Sequence, residues 1–82
     1  MASQFQIAKK HAGSLIRAAQ TGTPQQSKVW GKGQHRREVT VWHDGNGVYT
    51  TAFNSQGAEM TYATDDAEGI SGMVTMFLGE AG

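Results

Sequence analysis

Eighty-two residues suffice for a single domain, 1–82, and a chain this short hides only roughly 60–65% of the surface its unfolded form exposes, so it builds one thin core. With no cysteine, disulfide staples, thiolate zinc sites and cysteine nucleophiles are excluded, which fits a reducing cytosol. Seven basic and seven acidic residues cancel to a net charge of zero, which argues against bulk attraction to nucleic acid or to an anionic membrane.

The N-terminal stretch MASQFQIAKKHAGSLIRAAQ has no continuous apolar run of the secretory kind, and nothing in the chain approaches the roughly 20 apolar residues of a membrane span, so a cytoplasmic protein is expected. Ser3 and Gln6 form a capping box, predicting a helix that begins there. Phe5, Ala8, Ala12, Leu15, Ile16 and Ala19 recur at helical spacing on its inner face, and Gly22 and Pro24 end it. Residues 20–27 read as loose chain, and KVWGK supplies a short fourth strand if one is present. Three strands then follow, REVTVWH, VYTTAFN and AEMTYAT, joined by the turn sequences DGNG and NSQG. The last element is a helix in DDAEGISGMVTMFLG, with Asp65 and Glu68 as cap and reciprocal partner and Ile70, Met73, Val74, Phe77 and Leu78 as its buried row. Gly69 and Gly72 weaken that helix and let it lie close to a sheet or a partner.

These elements predict a two-layer α+β fold, with a three- or four-stranded antiparallel meander and both helices on one sheet face. A three-residue loop of Gly45, Asn46 and Gly47 puts Val39, Val41, Tyr49 and Phe53 on one side, joined by Ala58, Met60 and Tyr62 across the next turn. A two-residue loop would strand Tyr49 and Phe53 outside. The methionines Met60, Met73 and Met76 read as core filler. The outer face then carries Arg36, Glu38, Thr40, Trp42, Val48, Thr50, Ala52, Glu59, Thr61 and Ala63, which is flatter and less charged than solvent alone requires.

All seven cations (Lys9, Lys10, Arg17, Lys28, Lys32, Arg36, Arg37) precede all seven acids (Glu38, Asp44, Glu59, Asp65, Asp66, Glu68, Glu80). Two surfaces of opposite sign are one consequence; the other is a basic helix beside an acidic one, whose fields cancel. His35, His43 and Asp44 have metal-like residue types but not the spacing, and no cofactor motif is present. Histidines beside Arg36 and Arg37 also suggest a small metal-independent ribonuclease, but His35 and His43 would lie roughly 26 Å apart along an extended strand. GKG and GNG are turn glycines, since neither joins a strand to a helix as a phosphate loop does.

The order helix, three strands, helix is similar to that of a double-stranded-RNA-binding domain, and Lys28, Lys32, Arg36 and Arg37 interleave with Trp30 and Trp42. That family places cations at the start of its last helix, where this chain has Asp65, Asp66 and Glu68. RNA or DNA contact through 28–37 is therefore the alternative reading. In format, the cysteine-free 82 residues with capped helices around the TVWHDGNGVYTTAF hairpin resemble the phage and mobile-element inhibitors of bacterial defence, the anti-CRISPR proteins above all. The resemblance implies a non-enzymatic protein that binds a protein or ribonucleoprotein complex and occludes one of its surfaces. Trp30, Lys32, Arg36, Arg37 and Trp42 are the expected contact residues, since tryptophan and arginine dominate binding hot spots. Asp65, Asp66 and Glu68 form a secondary acidic patch, and the outer sheet face is an alternative homodimer surface.

Overall fold

The fold is a computed structural model, and it describes residues 3–81. Helix α1 spans Gln4–Ala19. The Gln6 backbone N–H donates to the Ser3 hydroxyl at 3.1 Å and the Ser3 N–H donates to the Gln6 side chain at 2.9 Å, closing the predicted capping box. Ala8, Ala12, Leu15, Ile16 and Ala19 are buried along it, while Phe5 stays partly exposed at its first turn.

The sheet has four antiparallel strands in the order β1 (Gln25–Gln26), β2 (Arg37–His43), β3 (Tyr49–Ser55) and β4 (Ala58–Thr64). The fourth strand is thus not KVWGK but two residues inside the stretch read as loose chain. Gln25 and Gln26 pair with Val41 and Thr40, and Ser27 continues the contact through both its N–H and its hydroxyl on Val39. Trp30 makes only an isolated bridge to Arg37 before a 3-10 turn at Gly33–His35.

The β2–β3 register is the expected one. Val39 faces Phe53, His43 faces Tyr49, and the Asp44 N–H donates to the Val48 carbonyl at 3.1 Å across a loop of Gly45, Asn46 and Gly47. Gly45 and Gly47 have φ of 85° and 95°, the left-handed backbone such a loop requires. The His43 ring accepts the Gly45 N–H, and the Asp44 carboxylate accepts those of Asn46 and Val48, so both side chains hold the turn. These backbone donors keep the Asp44 carboxyl below its ordinary pKa.

Helix α2 spans Ala67–Gly79. Its cap is Asp66 and not Asp65: the helix begins at Ala67, so Gly69 is the residue whose N–H reaches the cap, donating to Asp66 Oδ1 at 2.9 Å. Ile70, Val74 and Leu78 are fully buried and meet the α1 row and Val39, Val41, Tyr49 and Phe53 in one cluster. The helices run antiparallel, with Phe5 of α1 lying against Gly79 of α2.

Thr51 lies in that core between Tyr49 and Phe53, fully buried, and its hydroxyl has no hydrogen-bond partner within the protein. A desolvated hydroxyl without a partner costs more than the methyl that could replace it. Thr51→Val is expected to raise stability by about 1 kcal/mol in urea unfolding.

A candidate protein-docking groove

The two helices do not cover the sheet evenly. Their contacts fall chiefly on β1, β2 and β3, and β4 is exposed along almost its whole length. Arg37 on β2 explains the offset. Its guanidinium donates to the Phe77 carbonyl at 2.8 Å and to Glu80 at 3.2 Å, and it stacks 4.9 Å from the Phe77 ring, holding the end of α2 above β2. Phe77 also meets Phe53 edge-on at 5.2 Å. With its Ile70–Val74–Leu78 row turned down, α2 presents Gly69, Gly72, Met73, Met76 and Glu80 sideways over β4.

The result is a groove of about 580 Å³ between α2 and β4, with Phe53 and Met60 as its floor. Met60 is 70% exposed, Met76 55%, and Met73 42%, and Tyr62 beside Met60 on β4 is 46% exposed. Alternation placed Met60 and Tyr62 on the correct face of the sheet, but the expectation that they and the α2 methionines fill the core is overturned. No helix lies above them. Thioether side chains are flexible and polarisable, suited to repacking against a partner.

The edge beside this groove is open as well. Gln56 (φ 57°) and Gly57 (φ 85°) make a two-residue turn between the paired Ser55 and Ala58. In such a hairpin the flanking pair exchanges both backbone bonds, so the outward N–H and C=O groups of β4 belong to Glu59, Thr61 and Ala63. The strand has no proline or lysine to protect that edge.

The charge is one-sided. From Ala58 to Glu80 the chain carries Glu59, Asp65, Asp66, Glu68 and Glu80 and no Lys or Arg. Arg37–Glu80 is the one ion pair among the described residues, so the lysines of α1 do not pair with the acids of α2.

The expected contact residues are scattered. Trp42 is on the outer face, 39% exposed and opposite Thr50, and Lys32 and Arg36 are exposed. Trp30 is only 6% exposed, a core residue whose ring lies 5.8 Å from His11, with Lys28 Nζ 5.1 Å from its centre. Arg37 faces inward to α2. Asp65 and Glu68 are exposed beside the cap, near the Gly69 end of the groove.

A smaller recess gathers Gln6, Lys10, His11, Lys28 and Trp30. Burial, and secondarily the Lys28 charge, push the His11 pKa below its ordinary 6.5. Folded His11 therefore binds protons less readily than unfolded His11. It leaves stability unchanged above pH 6.5 and lowers it as pH falls through 6.5 toward the depressed value. Urea midpoints at about pH 7.5 and 5.5 should show this loss, and His11→Gln should diminish it.

Comparison with family models, curated protein sequences and solved structures finds no match to this chain.

Proposed function

We propose that the chain is a non-enzymatic binding protein that inhibits a larger macromolecular assembly by covering part of its surface, in the manner of the phage anti-defence inhibitors whose format it resembles. The observation that carries this reading is the groove. Three large apolar side chains, Met60, Met73 and Met76, line it and stand exposed, and Tyr62 is exposed two residues along β4 from Met60, beside an open strand edge. A thin two-layer domain that leaves such a patch uncovered gains from a partner that desolvates it. The outer face with Trp42 is flatter, and Ala52 at its centre is buried among its neighbours.

The engagement of Trp30 and Arg37 inside the fold leaves the nucleic-acid alternative with Lys28, Lys32 and Arg36 as its cations. The two readings separate in one experiment. A tagged chain is passed through a bacterial lysate with and without nuclease. Capture of one large assembly in fixed ratio, insensitive to nuclease and to moderate salt, supports the inhibitor; salt-sensitive recovery of nucleic acid alone replaces it with a nucleic-acid module.

A further inference from the structure

We infer that the groove between α2 and β4 receives a basic amphipathic helix of the partner protein. The inference rests on the binding-protein reading above and names what that site recognises. Three independent features point to this occupant.

The first is position. The groove lies in the helix layer, over the one long strand that α1 and α2 leave largely uncovered, where a third helix would complete the cover. Along α2 it runs from Gly69 to Glu80, about 16 Å at the rise of a helix.

The second is the shape of the wall. A side chain at Gly72 would meet nothing within 4 Å, so no packing inside the domain requires glycine there. Glycine is a poor helix residue, and here it leaves α2 dished between Gly69 and Met76, where the ridge of another helix can enter. An added strand at the β4 edge would satisfy Glu59, Thr61 and Ala63 but would leave Met73 and Met76 open.

The third is charge. Asp65, Asp66 and Glu68 stand near one end of the groove with Lys9 as the one cation beside them, so acids outnumber bases there. Glu80 at the other end is paired with Arg37, and Glu59 lies on the opposite face of the sheet. No Lys or Arg lines the groove. Such a surface selects a segment whose polar face is basic. A second copy docked through the same groove would bring two sets of these acids together, which disfavours self-association there. Because the whole chain is neutral, a basic segment is drawn to this region and not to the molecule at large.

The test uses the intact chain with ¹³C-labelled methionine methyls and three synthetic peptides of about four helical turns. One is a Leu/Lys amphipathic helix, one its Leu/Glu counterpart, and one a Leu/Lys scramble without amphipathic spacing. The Leu/Lys helix should bind at roughly 10 μM or tighter, at least about tenfold better than either control. It should shift the Met60, Met73 and Met76 methyls and leave the Trp42 indole unmoved. Gly72→Leu, which fills the dish with a better helix former, should weaken it about tenfold or more, while Thr61→Pro, which blocks only the strand edge, should not. Equal binding of the Leu/Glu helix overturns the inference, as does sensitivity to Thr61→Pro without sensitivity to Gly72→Leu, which would assign the site to a strand. Self-association in sedimentation velocity that Gly72→Leu abolishes would assign it to a second copy. If no peptide moves the methionine methyls, the helical occupant is wrong; the binding-protein reading is then judged separately by whether the chain still captures its assembly from lysate.

Discussion

Gly31→Ala is expected to lower stability by about 3 kcal/mol or more, and Gly33→Ala by about 1 kcal/mol. Both glycines have positive φ, 79° and 57°, so both substitutions meet the left-handed penalty. They differ in surroundings. A Cβ on Gly31 would collide with the His35 carbonyl oxygen and lie 2.7 Å from that of Ala81, backbone atoms that cannot turn aside, whereas at Gly33 nothing lies within 4 Å. Gly31 is where the chain leaving Trp30 passes between the 3-10 turn and Ala81, two residues past the end of α2. A domain of this length holds about 4–12 kcal/mol in total, so the Gly31 variant approaches the unfolding threshold at physiological temperature. Urea unfolding followed by circular dichroism measures both, and equal costs would show that the close approach at Gly31 is unimportant.

Arg37→Ala is expected to cost about 2–3 kcal/mol, more than its one partly exposed ion pair would suggest. The substitution removes a charged donor from the Phe77 carbonyl at the negative end of the α2 dipole, together with the stacking on the Phe77 ring. It also releases the clamp that holds α2 above β2. Arg37→Lys should recover only part of the loss, because an ammonium supplies the charge without the planar fork. Thermal unfolding of the three proteins in parallel tests this; full rescue by lysine would reduce the clamp to a simple charge effect.

Local chemistry was the legible part of the fold. The Ser3–Gln6 box, the glycine-bearing loop after Asp44 and the period-2 alternation each act over a few residues, and together they placed α1, the β2–β3 register and the shared face of Val39, Val41, Tyr49 and Phe53. What depends on tertiary offset was not. Alternation assigns Met60 and Tyr62 to the helix side of the sheet but is silent on which strand the helices leave bare. That choice is made by Arg37, which the charge pattern around Arg36 and Trp42 marked as a contact residue. Trp30 was misplaced for a related reason: flanked by Lys28 and Lys32 it reads as exposed, and its burial against His11 follows from the path set by Ser27 and Gly31. The α2 cap moved by one residue because adjacent aspartates offer equivalent local chemistry.

The candidate site left one readable trace. Met73 and Met76 flank the Ile70–Val74–Leu78 row, so α2 is apolar around more of its circumference than one thin sheet can bury. With Gly72 beside them, that excess is the trace in the sequence of the groove proposed as the binding site.

The most direct test compares binding of the lysate-captured assembly by Met60→Lys/Met73→Lys and by Trp42→Ala. All three side chains are exposed, so each protein should keep its fold, with stability changed by no more than about 0.5 kcal/mol per site. The account predicts that the double variant loses about a hundredfold in affinity, since it places two cations in an apolar groove built for a basic partner, and that Trp42→Ala binds as the wild type does. Retained binding by the double variant, with loss at Trp42→Ala, would contradict it and move the interface to the outer face of the sheet.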